Sequence, residues 1–318
     1  MRRARSEDWR LARGASITCE VMDCQRGLAI IVGMNTLSLA QTAPSNPPTA
    51  SRTVGDLLRE WRQRRRMSQL LLAAEADIST RHLSFVESGR AVPSREMVMH
   101  LAERLDVPLR ARNALLIAAG YAPLFRERPL TDPQLAAARE AVELVLKGHE
   151  PYPALAIDRH WTILAANSAL APLVAGASAE LLEPPVNALR LSLHPEGIAA
   201  SIVNWHAWRE HVLARLQRQI DVSGDDTLSA LRDELAGYPA PPGAEAIDPD
   251  PAINQIAVPL RLRTPLGLLS FFSTTTVFGT PVDVTLSELA IEAFFPADQQ
   301  TAAALREFAE SQRAQAAP

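Results

Sequence analysis

Met67-Ser68-Gln69-Leu70-Leu71-Leu72-Ala73-Ala74-Glu75-Ala76-Asp77-Ile78-Ser79-Thr80-Arg81-His82-Leu83-Ser84-Phe85-Val86-Glu87-Ser88-Gly89-Arg90 reads as two short helices around a turn. Ser68 opens the first, Gln69 to about Ala76, and Ser79 opens the second, because a side-chain oxygen at that position accepts from backbone N–H groups that have no partner within the helix. Ile78 and Leu83 fall at the positions of a hydrophobic staple, and Gly89 supplies the left-handed residue that ends a helix. The Ala76-Asp77-Ile78 turn between them has helix-turn-helix spacing. Leu83 and Val86, three apart, face a bundle, while Thr80, Arg81 and Ser84 project outward and Phe85 borders both faces. Such a helix fits the major groove of DNA, with the side chains near its N-terminus approaching base edges.

Further capped helices flank this pair. Thr53, with Asp56 three residues later, predicts a capping box and a helix to about Arg66. Ser94, after Pro93, predicts a helix to about Leu105, and Pro108 separates another, about Leu109 to Ala119, ending at Gly120. Five helices in this span make an all-α bundle. Its charge supports a polyanion partner: residues 52–128 carry fourteen Arg against nine acids, whereas residues 129–318 carry twelve bases against twenty-three acids. The run Arg62, Arg64, Arg65, Arg66 beside the motif is a candidate phosphate clamp.

Met67-Ser68-Gln69, Leu83 and Glu87-Ser88-Gly89-Arg90 resemble the hallmark pieces of the xenobiotic-response-element family of helix-turn-helix regulators, over about Val54 to Ala119. The resemblance implies a lambda-repressor-like bundle that binds double-stranded DNA. It implies that Gln69 bonds a phosphate or a flanking base and that Thr80, Arg81, Ser84 and Phe85 face the bases. Ser79, Arg90, Arg64, Arg65 and Arg66 complete the expected DNA-binding set, while Arg62 and Glu87 match a buried ion pair tying the first helix to the third. Leu71-Leu72 and Phe85 depart from the family pattern; Phe85 either touches a thymine methyl or packs inward.

Beyond Pro129 the pattern changes. A helix is predicted from about Asp132 to Lys147, then short strands Ala154 to Asp158 and Thr162 to Ala166 around a turn at Arg159-His160, with Asn167 capping a helix after the second strand. Helices near Val203–Gln219 and Thr227–Ala236 precede a loop, Tyr238 to Pro251. Strands near Gln255–Arg263 and Leu268–Phe278 and a helix from about Asp298 finish the chain. Strands at both ends with helices between indicate an α+β domain with an antiparallel sheet. Trp161-Thr162-Ile163-Leu164-Ala165-Ala166-Asn167, Asn187-Ala188-Leu189-Arg190-Leu191 with His194-Pro195-Glu196-Gly197, Val203-Asn204-Trp205, and Leu269 to Thr276 continuing to Phe278-Gly279-Thr280-Pro281 resemble the ligand-binding domain of the MmyB-like transcription regulators. That implies a PAS-like sensor of a small apolar molecule such as a fatty acid. Trp205, Trp208 and His211, spaced three apart on one helix, and Phe272 are the candidate cavity residues, with ordinary core packing as the alternative. Phe271 and Phe272 point to opposite faces of their strand.

The expected division is an N-terminal extension (1–51), a DNA-binding domain (52–128), a linker helix (129–151) and a sensor (152–318). With 318 residues, 47% of them hydrophobic, two domains can each bury a core. The apolar run Leu28 to Ala40 is too short to span a bilayer, which takes about 20 residues, so no membrane association is expected. Cys19 and Cys24 alone cannot build a disulfide framework or a four-cysteine zinc site. His206 and His211, five apart, do not form a zinc-protease pair, and no phosphate loop, nucleophile elbow or dinucleotide fingerprint occurs. The expectation is a cytoplasmic, homodimeric regulator that is not an enzyme and uses no metal or cofactor. The alternative is a DNA-tethered module whose C-terminal domain binds a protein.

Overall fold

The computed structural model describes residues 52–244, 258–279, 281 and 283–316. The N-terminal extension with its apolar run and both cysteines, the end of the Tyr238–Pro251 loop, the start of the strand expected from Gln255, and Thr280 lie outside the described residues.

Five helices form the first part: α1 (Val54–Arg64), α2 (Gln69–Glu75), α3 (Thr80–Glu87), α4 (Arg95–Arg104) and α5 (Leu109–Ala118). Ser68, Ser79 and Ser94 each cap the helix that follows, and Thr53 and Asp56 form a reciprocal capping box. Asp77, in the α2–α3 turn, adopts a left-handed φ of 51°, a conformation that Asp tolerates better than most residues. Leu58, Leu72, Leu83, Val86, Leu101 and Leu115 are fully buried between the helices. Gly55 brings α1 against the end of α3. A Cβ there would lie 2.5 Å from the Val86 carbonyl oxygen and 2.8 Å from that of Glu87, and backbone cannot yield as a side chain can.

The second part begins with α6 (Ala136–Gly148), followed by β1 (Ala154–Ile157), β2 (Ile163–Ala166), α7 (Ala171–Val174), α8 (Ala179–Leu182) and α9 (Ala188–Leu193). Then come α10 (Trp205–Ser223), α11 (Asp226–Gly237), β3 (Leu260–Thr264), β4 (Gly267–Val277), α12 (Val284–Ser287), β5 (Ala290–Pro296) and α13 (Gln299–Ala316). The five strands form one antiparallel sheet in the order β2-β1-β5-β4-β3, so the α+β architecture with an antiparallel sheet expected from sequence is present. The central strand, β5, is an element the sequence reading missed.

Alternation along the strands divides the core. Ala154 and Ala156 of β1 and Ile291 of β5 face Val142 and Leu146 of α6. Leu155 and Ile157 face the other way, into a larger cluster with Phe271, Trp205, Trp208 and Leu216. The helix expected as a linker therefore packs against the outer face of the sheet, while α7–α11 cover the inner face. Asn167 does not cap with its side chain as expected. Its oxygen accepts from Ala154 N, and its amide donates to the carbonyls of Leu146 and Tyr152, pinning α6 to β1.

Candidate nucleic-acid interface and ligand cavity

Helix α3 is locked from behind. Glu87, 1% exposed, receives Arg62 Nε at 2.7 Å and a second Arg62 nitrogen at 2.8 Å. Gln69 Nε2 donates to the same carboxylate at 2.8 Å. Burial opposes the charge on Glu87, but the hydrogen bonds from Arg62 and Gln69, with the nearby guanidinium charges, hold its carboxyl below the usual carboxylate range. Arg59 donates to the Glu87 carbonyl. This cluster ties the C-terminal end of α3 to α1 and α2, so the helix is presented as a rigid body. Gln69 has its amide nitrogen turned toward the protein.

On the outward side Ser79 holds the N-cap, accepting from His82 N at 3.1 Å. Thr80, Ser84 and Phe85 are half-buried, and Arg81 and Arg90 are exposed. The two guanidiniums lie 5.3 and 6.0 Å from the Phe85 ring centroid. Phe85 thus forms an apolar platform between two cations, which orients both by cation–π attraction.

The arginine run divides. Arg65 donates to the carbonyls of Leu105 and Asp106, each at 2.8 Å, satisfying acceptors left over at the C-terminus of α4. Arg64 pairs with Glu60 at 2.6 Å and lies against Gly224 at the end of α10, where a Cβ would be 2.2 Å from its guanidinium carbon. Neither is presented as a free phosphate clamp, because protein acceptors already engage them. Arg66 is exposed, and its side chain has no hydrogen bond or ion pair among the described residues.

Sequence reasoning also missed a latch between the two parts. Arg110 of α5 grips Glu288, just ahead of β5, with two hydrogen bonds of 2.8 and 2.9 Å, and also pairs with Glu127. The hydrogen bond to Glu288, outweighing burial, raises the Arg110 pKa further. Arg128 pairs with the buried Asp283 at 2.9 Å. No local pattern signals partners so distant in sequence.

The inner face of the sheet holds a cavity of about 80 Å³. Its walls are mostly aliphatic, including Leu155, Ile163, Val174, Leu189 and Leu262. One polar end combines Ser192, His211, Arg215, Ser273 and Glu292. Trp208 lines it, donating to Ser192 Oγ at 2.9 Å and stacking on His211 at 5.5 Å. Burial, aided by Arg215 and Arg218, holds His211 below the usual imidazole range. Arg215 bonds both Glu292 oxygens and Thr275, and its guanidinium lies 4.5 Å from the Trp161 ring centroid.

Of the four cavity residues chosen from sequence, Trp208 and His211 line it and two do not. Trp205 is buried at 2% exposure in the surrounding core. Phe272 is on the outer face of the sheet, 39% exposed and stacked at 5.4 Å on Phe295. Alternation puts its neighbour Phe271 inside. Arg215 and Glu292, the charged pair at the polar end, were overlooked; the signal for Glu292 was a lone acid in an apolar run, while Arg215 is one of three arginines on its helix and nothing local singled it out.

Residues 138–308 match the family model described as the MmyB-like transcription regulator ligand binding domain. Residues 58–111 match a helix-turn-helix model. Both describe parts of transcription regulators, and neither is a catalytic family. No curated protein matches the chain. Among the described residues, no helix is long and apolar enough to cross a membrane.

Proposed function

The chain belongs to the MmyB-like transcription regulators, and from that premise we propose a cytoplasmic homodimer that reads DNA with α3 and senses a small, largely apolar molecule in its sheet domain. That it is a DNA-binding regulator with a ligand-binding domain follows from the two matches. The finer reading divides it into a DNA-binding domain of about residues 52–128 and a sensor of about 152–318. It rests on one observation: Arg81 on the outward face of α3 and Arg90, three residues past its end, are both poised on Phe85, while the opposite side is locked by Arg62–Glu87. Ser79, Thr80, Arg81, Ser84 and Phe85 approach the bases, Arg90 and Arg66 the phosphates, and the free Gln69 oxygen a flanking donor. One such helix reads half a site, and two-fold pairing supplies the second.

Arg81→Ala is expected to lower discrimination between the preferred site and random DNA by about 1–3 kcal/mol for each base that Arg81 reads. Fluorescence anisotropy on both duplexes checks this. Equal losses on the two would remove Arg81 from the base-reading set.

A largely apolar cavity between the sheet and its covering helices favours a small molecule over a protein as the sensor's partner. At about 80 Å³ it is smaller than the roughly 150 Å³ cavity that accommodates benzene in a well-characterised case. Anything larger enters by displacing the walls. Glu292, in the cavity, and Glu288, held by Arg110 of the DNA-binding domain, bracket the start of β5. A ligand that moves β5 therefore acts on the latch, and its differential affinity for the two arrangements sets the size of the response. Native mass spectrometry of the purified chain should reveal a co-purifying apolar molecule. A bare chain whose melting temperature responds to no member of an apolar ligand panel would refute the sensing role.

A further inference from the structure

Helix α6 has two apolar faces, and the fold buries one of them. Val142 and Leu146 pack on the sheet, whereas Ala137, Ala141, Leu144, Val145 and Gly148 are exposed, Leu144 at 73% and Val145 at 48%. With 3.6 residues per turn these five positions form a continuous second face. It continues onto the sheet: His149, one turn beyond Val145, meets the Phe295 ring edge-on at 4.7 Å, and Phe295 stacks on the exposed Phe272. An apolar surface built from a helix and a neighbouring aromatic pair is the kind that a partner covers.

We propose that a second copy of this chain covers it, with α6 packing antiparallel on its own equivalent about a two-fold axis. This rests on the dimeric reading above and names its surface. The charges beside the face point to this occupant. Glu140 and Lys147 are exposed and make no ion pair among the described residues. Seven residues apart, just short of two turns, they lie on the same flank, about 10 Å apart along the helix. A two-fold axis passing between Glu143 and Leu144 sets Glu140 of each copy opposite Lys147 of the other, twice over, and brings the two Leu144 side chains together. A self-complementary patch is what an isologous interface requires. The patch lies on the opposite side of the sheet from the cavity, so pairing leaves the ligand site uncovered.

Sedimentation velocity of the full chain tests this. The wild type is expected as a dimer, and Leu144→Glu as a monomer with unchanged far-ultraviolet circular dichroism. Glu140→Lys should weaken association about tenfold, since two attractions become two repulsions, and adding Lys147→Glu should restore it to within about threefold. The charge variants sit at exposed positions and carry the test should Leu144→Glu misfold. A dimer indifferent to all three changes uses another surface, and the inference fails while the regulator reading stands. A wild-type monomer also overturns it, including one that dimerises only after residues 1–51 are removed, since the chain's own N-terminal segment would then be the cover. Loss of any preferred DNA site with the dimer intact would instead sink the regulator reading and leave this interface standing.

Discussion

Glu87→Ala is expected to destabilise the DNA-binding domain by about 3–5 kcal/mol, the usual consequence of removing one partner from a buried ion pair. The carboxylate is almost wholly enclosed and accepts from Arg62 twice and from Gln69 once. Its loss leaves the Arg62 guanidinium, whose side chain is only 11% exposed, without a counter-charge and with the Met67 carbonyl as its remaining hydrogen-bond acceptor among the described residues. Small domains are stable by about 5–15 kcal/mol in total, so a large share of the molecules should open. Hydrogen exchange is the suitable measurement: amides of α1–α3 should lose protection while those of β1 and β5 keep theirs. The double variant Arg62→Met with Glu87→Leu should recover much of the loss, because an apolar pair of similar size avoids the desolvation cost. A single variant as stable as the wild type would show that the pair is solvated. The pH dependence has a definite sign. The folded carboxyl lies below its unfolded value of about 4.3, so its stabilisation is complete above that pH and disappears as pH falls through the folded value.

Arg215→Met should have a comparable effect on the sensor, again about 3–5 kcal/mol. Glu292 is 3% exposed, and Arg215 supplies its only charge-bearing partner among the described residues, with Thr275 adding a hydrogen bond. Methionine fills much of the space under Trp161 but leaves the carboxylate uncompensated beside the aliphatic walls. Calorimetry should show the sensor transition moving down, and exchange protection in α1–α3 should hold. Adding Glu292→Leu should restore most of the stability while making the polar end of the cavity apolar. That double variant separates stability from recognition: if the natural ligand carries a polar head, the folded double variant should bind it more weakly than the wild type. An unshifted transition in the single variant would mean that water reaches Glu292 in the folded protein.

The helical half was legible because its signals are local. The caps at Thr53, Ser68, Ser79 and Ser94 act within three residues of themselves, and the observed helix ends lie within about two residues of those read from the caps and breakers. β5 was not legible. Ala290-Ile291-Glu292-Ala293-Phe294-Phe295-Pro296 is a short apolar run interrupted by an acid, and such a run does not announce a central strand. Its place between β1 and β4 depends on partners more than a hundred residues away on one side and about twenty on the other.

What the sequence determined by itself was therefore the five helices of the basic part, the turn that presents α3, the alternation that separates Phe271 from Phe272, and the change from a basic part to an acidic one. Each follows from chemistry between near neighbours or from simple counting. Tertiary structure alone decided that Arg65 caps α4, that Arg64 rests against α10, that Phe271 and not Phe272 is on the cavity side of the sheet, and that Glu292 meets Arg215. The physical reason is the same in each case. A guanidinium or carboxylate is satisfied by whichever acceptor or donor the fold brings within about 3 Å, and which face of a strand is inside depends on the helices that cover it.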